Sequence, residues 1–185
     1  MKYADFWKRL GSLLIDALVF SPLIFVYFYV ITHFQSLAIF CLIAMAFIGP
    51  MYSIYFHCRW GQTIGKMAVG IIVRDLSGRP ISWRQAFLRN IVDLIFGIPI
   101  AIGSWIAFLR MPEAAYQDPS FLNWAKMFAE SQPIFVKPLQ NMGSIWTWSE
   151  AIVLLFNKKK RALHDFIACT VVVEKSSLSS ITDAA

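Results

Sequence analysis

Long apolar stretches separated by short polar segments dominate the pattern along the chain. A helix needs about 20 mostly apolar residues to cross a bilayer. Three stretches come close to that length or exceed it, and a fourth is shorter, polar at its start and interrupted by Glu150. The pattern therefore predicts four membrane-spanning helices, near Leu10–Ile31, Ser36–Phe56, Ile91–Leu109 and Leu139–Phe156.

The composition indicates the same class of protein. Of the 185 residues, 58% are hydrophobic and 15% are charged, whereas a soluble domain has roughly 45–50% and about 25%. So few polar residues could not cover the surface of a soluble protein, which excludes a disordered chain, a disulfide-stapled secreted domain and most soluble enzymes. The length fits one transmembrane domain, expected over residues 1–175, and we expect the serine-rich tail at 176–185 to be disordered.

The basic residues orient the predicted spans. The net charge is +6, and 14 of the 17 lysines and arginines lie before the first span, between the second and third spans, or after the fourth. Four spans place all three segments in the cytoplasm, where basic residues are enriched, whereas three spans would export the cluster Lys158–Arg161. We therefore expect both termini to be cytoplasmic. No nucleic-acid-binding motif accompanies the charge, so the expected partner is the lipid bilayer and not nucleic acid.

A small cytoplasmic β element is predicted beside the spans. Gly61–Ala68 is consistent with a short helix at the membrane interface, and Ser82 with Gln85 forms a capping box that opens the third span. The β-branched segments Ile71–Arg74 and Thr170–Glu174 resemble each other, and we expect them to pair. The predicted fold class is thus an all-α membrane protein with four transmembrane helices and a two-stranded cytoplasmic β element.

The segment between the third and fourth spans also has helical character. After the helix-start pair Asp118-Pro119, apolar residues recur at helical spacing from Phe121 to Ala129. The pattern predicts a short amphipathic helix. It fits equally a helix in the outer membrane interface and a helix packed on the bundle.

Three acidic residues fall inside the predicted spans. Charged groups at the centre of a bilayer cost about 2.5–3.5 kcal/mol, so each needs an explanation. Asp16 lies roughly 9 Å from the start of its span, Asp93 about 6 Å beyond Arg89, and Glu150 roughly 9 Å from the end of its span. All three therefore lie at similar depth toward the cytoplasm. Arg9 and Arg89 precede Asp16 and Asp93 on the same helix faces.

These acidic residues allow two interpretations. In the first, Asp16, Asp93 and Glu150 form a polar pocket that binds a cation or relays protons, with Asn90 and Ser12 completing the shell. In the second, Arg9 and Arg89 are charge partners in an Arg–Asp network that locks the helices together. Glu150 favours the first interpretation, because no basic residue follows it one or two turns away within its predicted span.

Four sequence blocks stand out in chain order. They are FWKRL at Phe6–Leu10 leading to Asp16, GQTIGK at Gly61–Lys66 followed by GIIV at Gly70–Val73, Arg89-Asn90 with Asp93, and RALHD at Arg161–Asp165 followed by TVVV at Thr170–Val173. Together they resemble the RDD family of small prokaryotic membrane proteins. The motif positions carried over are Arg9, Asp16, Asp93, Gly61, Gln62, Gly65, Lys66, His164 and Asp165.

The resemblance implies a multi-pass protein of the prokaryotic cytoplasmic (inner) membrane, in a family often interpreted as transporters. The family is named for one arginine and two aspartates. Arg9 and Asp16 match the first two, and either Asp93 or Asp165 matches the third. The resemblance supplies no substrate.

Two functional hypotheses follow. One is a small transporter that exchanges a monovalent cation for protons or carries a solute, using the intramembrane carboxylates. Four helices enclose little space, so a homo-oligomer would help to build the pathway. The alternative is a non-transporting scaffold or regulatory subunit with a basic cytoplasmic face. An enzyme, a metal site and a cofactor are not expected, because His33, His57 and His164 have no metal or triad spacing.

Overall fold

Long helices and one small sheet make up the computed structural model, which describes residues 1–113, 115 and 120–178. The helices are α1 (Phe6–His33), α2 (Gln35–Trp60), α3 (Ile64–Ala68), α4 (Trp83–Leu88), α5 (Ile91–Arg110), α6 (Phe121–Ser131), α7 (Val136–Phe156) and α8 (Leu163–Ile167). Strand β1 (Ile71–Asp75) follows α3, and strand β2 (Thr170–Glu174) follows α8. The pair at 118–119 and tail residues 179–185 lie outside the described residues.

In the part of the chain that the structure describes, three helices are long and apolar enough to cross a membrane. They are Phe6–His33, Phe40–Trp60 within α2, and Ile91–Arg110, with mean hydropathies of 2.2, 1.5 and 2.0. Only 6, 11 and 17% of their most apolar windows is buried inside the protein, and side chains such as Leu18 and Phe25 are 72 and 73% exposed. So large an apolar surface is unfavourable in water, and the helices therefore indicate membrane embedding. They coincide with the first three predicted spans.

Helix α7 occupies the position of the fourth predicted span. Its 21 residues are long enough to cross a bilayer, but it is not among the described helices that are also sufficiently apolar. Lys137, Gln140 and Asn141 near its start, and Glu150 further on, make it more polar than the other long helices. Three candidate spans are observed, and the fourth remains a prediction.

The predicted pairing of the two strands is confirmed. β1 and β2 run antiparallel, with Val73 opposite Val172. β-branched side chains fill both strands, as is typical of pleated and buried surfaces. Tyr3 forms an isolated bridge to Val173, so the N-terminal segment lies along β2. The sheet thus joins three distant parts of the chain.

The first of two compact units contains this sheet. It comprises Met1–Phe20, Pro50–Val92 and the described chain from Ile145 onward. Ser82 and Gln85 form the predicted capping box, with reciprocal hydrogen bonds of 3.0 and 3.3 Å. It opens the short helix α4 and not the third span, because α4 ends at Leu88 and α5 begins at Ile91. The core of this unit is built around the strands from Ala4, Ile71, Val73, Ile81, Ala86 and Val172.

The second unit comprises Ser21–Gly49 and Asp93–Ser144. Helix α6 lies in this unit and confirms the predicted short amphipathic helix. Its Trp124 is 5% exposed and stacks on Phe128 with ring centroids 5.3 Å apart. Trp124 belongs to a buried cluster with Phe108 and Leu42, so α6 packs on the other helices of this unit.

Candidate functional site

The Asp16 carboxylate holds the start of α3 against α1. Its Oδ1 accepts hydrogen bonds of 2.8 Å from both the Tyr52 hydroxyl and the Gly65 N–H, and its Oδ2 accepts one of 2.6 Å from the Thr63 hydroxyl. The Tyr52 oxygen in turn accepts the N–H of Ile64 at 2.8 Å. The first N–H groups of a helix lack partners within the helix and attract negative charge. Asp16 therefore caps α3 and is occupied by three donors.

The GQTIGK block provides the backbone geometry for this contact. A Cβ at Gly65 would lie 2.0 Å from the Ser12 carbonyl oxygen and 2.8 Å from Cγ of Asp16, so only glycine fits there. Gly61 has a φ of +70°, in the left-handed region that favours glycine. Gln62 Nε2 donates to the first carbonyl of β1 at 2.7 Å. The block thus connects α1, α3 and the sheet.

One buried carboxylate joins two arginines from distant parts of the chain. Nη1 of Arg9 donates to Oδ2 of Asp165 at 2.7 Å, and Nη1 of Arg89 donates to Oδ1. Arg89 also donates to the Thr170 hydroxyl at 2.5 Å, and Arg9 Nη2 donates to the Lys160 carbonyl. The Asp165 side chain is fully buried, and those of Arg9 and Arg89 are 11 and 5% exposed. These contacts tie α1 and the residue after α4 to α8.

The charge of Asp165 is stabilised by its surroundings. Burial alone would raise the pKa of Asp165. The charges of Arg89, His164 and Arg9, with the hydrogen bond from Arg9, outweigh burial and hold that pKa well below its usual range. The carboxylate also accepts the N–H of Ala162 at 3.0 Å and so caps the start of α8. Asp165 is therefore ionised at neutral pH and is a fixed part of the structure.

A second acid pairs with a histidine. Oε1 of Glu150 accepts the backbone N–H of His164 at 3.2 Å and lies 2.5 Å from its Nδ1. The two side chains are 21 and 25% exposed. His164 Nε2 lies 3.6 Å from Oδ1 of Asp165. The Glu150 carboxylate and the His164 ring therefore form a pair beside the Asp165 carboxylate.

A cavity of about 440 Å³ connects these groups within the first unit. Lys66, which is partly buried, also lines it. Burial, and then the charge of Arg89, lower the pKa of Lys66 to about 8, although Asp16 opposes this effect. The ionisable side chains that line the cavity are Arg9, Asp16, Lys66, Arg89, Glu150 and His164.

The structure brings most of the predicted site residues together. Ser12 and Asp16, Glu150, and the charge partners Arg9 and Arg89 all line the cavity. Both arginines form their ion pairs with Asp165. Arg89 and Asp93 do not share a helix, because α4 ends at Leu88 and α5 begins at Ile91. Among the two candidates for the second family aspartate, Asp165 is the one that contacts Arg9.

Two predicted residues lie elsewhere. Asn90 is 7% exposed, and its side chain donates to the Ala86 carbonyl at 2.9 Å, which places it at the end of α4. Asp93 lies in the first turn of α5 and belongs to the second unit. Sequence reasoning missed Tyr52, because a tyrosine in an apolar stretch gives no signal of its partner. Within residues 1–113, 115 and 120–178, no cluster of His, Cys, Asp or Glu could hold a metal ion.

Long apolar helices, a small sheet and a charged cavity define a small multi-helix membrane-type protein. The chain belongs to the RDD family, whose model matches residues 3–169. It is also similar to the "Uncharacterized protein YckC" of Bacillus subtilis (strain 168), with 32% identity over 105 residues, which is 55% of this chain and 67% of that protein. No solved structure matches the chain.

Proposed function

We propose that this RDD-family protein is a small membrane transporter that moves an ion or a solute through the charged cavity, with proton exchange at the Glu150–His164 pair. The observation that carries the proposal is the 2.5 Å contact between Glu150 Oε1 and His164 Nδ1 in the cavity wall. The proposal assigns transport to this cavity and no chemical reaction.

The other two acids, Asp16 and Asp165, have structural partners. Asp16 accepts three hydrogen bonds at the start of α3, and Asp165 is shared by two arginines. Glu150 differs, because its Oε2 has no hydrogen-bond donor among the described residues and its Oε1 contacts a titratable ring. Gain or loss of a proton by this pair changes the charge of the cavity by one and so changes its attraction for a charged solute.

In the proposed topology, four helices cross the cytoplasmic membrane of a prokaryote and both termini are cytoplasmic. The distribution of 14 of the 17 basic residues supports this arrangement. The fourth crossing is α7, whose 21 residues suffice by length. Its polar residue Glu150 lines the cavity, which reduces the cost of placing a carboxyl group at membrane depth.

Proton movement in proteoliposomes tests the proposal. The wild-type protein, Glu150→Gln and the control Glu130→Gln are reconstituted, and pH, Na⁺ and K⁺ gradients are imposed separately while a dye reports internal pH. Glu130 is an exposed carboxyl group on α6 in the second unit. We expect wild type and the control to move protons in at least one arm and Glu150→Gln to fall to the level of empty vesicles. Unchanged flux in Glu150→Gln would contradict the proposal.

A scaffold or regulatory membrane subunit is the alternative. The bridge from Asp165 to Arg9 and Arg89 favours this alternative, since a buried ion network that joins distant parts of the chain can serve to fix one structure without any part in transport. Pull-down in mild detergent separates the two functions. A stable heteromeric partner, together with wild-type vesicles that move no protons in any arm, would support the alternative.

A further inference from the structure

The unused hydrogen-bonding capacity of the cavity belongs mainly to cations. Among the described residues, Lys66 Nζ makes no hydrogen bond or ion pair, and the Lys66 backbone N–H donates to the Thr63 hydroxyl. Nη1 makes both side-chain hydrogen bonds of Arg89, which leaves Nε and Nη2 as donors. Lysine offers three N–H donors and arginine offers five, and neither accepts a hydrogen bond. The cavity therefore presents N–H groups that a bound oxyanion could satisfy.

Two of the three acids, Asp16 and Asp165, compete little for these donors. Both oxygens of Asp16 are occupied by neutral groups, and Asp165 is buried behind the arginines with no exposed surface. Burial and the nearby charge of Arg89 both disfavour the charged form of Lys66 and lower its pKa. A bound anion would remove that cost. A bound cation would have to displace existing partners of Asp16 or rely on Glu150 alone.

Most of the remaining wall of the cavity is apolar, although the hydroxyl residues Ser12 and Thr147 also line it. Leu10, Leu13 and Leu154 lie along it with Ala151 and Trp148. Leu13 is 64% exposed and Leu154 is 5% exposed, so the wall runs from the interior toward the outer face of α1. A volume of about 440 Å³ falls within the range of about 300–1,000 Å³ typical of small-molecule sites. Cationic donors next to an apolar wall suit a molecule with one anionic end and one apolar end.

We propose that the ligand of this cavity is an amphipathic oxyanion, with its phosphate or carboxylate group at Lys66 and Arg89 and its apolar body along Leu10, Leu13 and Leu154. This inference rests on the proposed function in taking the cavity as the solute site. Basic pockets beside membrane helices bind lipid headgroups, so the same chemistry fits a membrane lipid and a free amphipathic solute.

Direct binding tests the inference without any measurement of transport. The purified full-length protein is titrated in neutral detergent with n-octyl phosphate, inorganic phosphate and n-octyltrimethylammonium, and tryptophan fluorescence reports binding. Octyl phosphate should bind, inorganic phosphate should bind at least tenfold more weakly because it has no apolar body, and the octyl cation should not bind at the same site. Equal affinity for the octyl anion and the octyl cation would overturn the assignment of charge.

Two substitutions locate the site. Lys66→Met should weaken octyl phosphate binding by about tenfold or more, since it removes a charged hydrogen bond. Lys159→Met, at an exposed lysine, should leave the affinity unchanged. Leu13→Trp leaves every ionisable group in place and should weaken binding by filling the apolar wall. If neither Lys66→Met nor Leu13→Trp alters the affinity, the site is not this cavity.

A final arm identifies the source of the anion. Native mass spectrometry of protein released from nanodiscs containing equal amounts of phosphatidylglycerol and phosphatidylcholine counts the lipids that remain bound. Retention of phosphatidylglycerol that Lys66→Met abolishes identifies a membrane lipid, and binding of octyl phosphate without lipid retention identifies a free solute. If octyl phosphate binds but no protons move in vesicles, the ligand assignment stands and the transport proposal fails. If protons move but no octyl phosphate binds, the transport proposal stands and the ligand assignment fails.

Discussion

Asp165→Asn tests the buried charge network most severely, because it removes the negative charge that Arg9 and Arg89 share. Removing one partner of a buried ion pair typically costs about 3–5 kcal/mol. Here one carboxylate serves two guanidinium groups that are only 11 and 5% exposed. Asparagine retains one oxygen for one arginine, but its amide group would face the other. We therefore expect a loss of about 4–5 kcal/mol in the free energy of unfolding.

Thermal unfolding in dodecyl maltoside measures this loss, and the 7 tryptophans of the chain provide the signal. For a chain of this size, 1 kcal/mol corresponds to about 2–4 °C, so Tm should fall by roughly 8–20 °C. Glu130→Gln, at an exposed position, should change Tm by less than about 2 °C. Arg9→Met combined with Asp165→Asn should be less destabilising than the sum of the two single changes, because fewer buried charges remain unpaired. A Tm for Asp165→Asn within 2 °C of wild type would refute the reasoning.

Three further predictions concern the start of α3 and the cavity. Gly65→Ala should lower Tm strongly or prevent folding, since its Cβ would lie 2.0 Å from the Ser12 carbonyl oxygen. The control Gly49→Ala, whose Cβ meets nothing within 4 Å, should leave Tm unchanged or raise it. Equal Tm values for the two variants would contradict the predicted clash. Tyr52→Phe should cost about 1–3 kcal/mol because the Ile64 N–H and Asp16 lose a partner, and a Tm equal to that of wild type would count against this role. The pKa of Lys66 is lowered to about 8 in the folded protein, below the ordinary value of about 10.4. Between these two values the unfolded chain binds more protons than the folded protein, so the free energy of unfolding should rise from pH 8 to pH 10 in wild type relative to Lys66→Met. Parallel stability curves over that range would be inconsistent with the lowered pKa.

The sequence predicted the elements whose signals are local. The long apolar stretches correspond to α1, α2 and α5. The Ser82–Gln85 capping box forms as predicted, but it marks the start of the short helix α4 and not of the third span. The pairing of β1 with β2 was also predictable, because two β-branched segments of matching pattern each needed a partner. Helix α7 gave the weakest signal, since Lys137, Gln140 and Asn141 near its start, together with the cavity-lining Glu150, lower its mean hydropathy.

The partners of the charged residues could not be predicted in the same way. Arg9 lies 156 residues before Asp165, and Arg89 lies 76 residues before it. Helical spacing shows only neighbours within a few turns and therefore suggested Asp16 and Asp93 as partners. The actual pairing depends on the sheet, which brings the chain around β2 beside α1. Only the RALHD block indicated that Asp165 had a special role.

The most direct test of the central claim is the ratio of proton flux through Glu150→Gln vesicles to that through wild-type vesicles, with both proteins shown to be folded by Tm. If the charged cavity is a proton-linked transport site, wild type exceeds empty vesicles and the ratio falls close to zero. A wild-type flux no higher than that of empty vesicles under pH, Na⁺ and K⁺ gradients, or a ratio near one, would contradict the account.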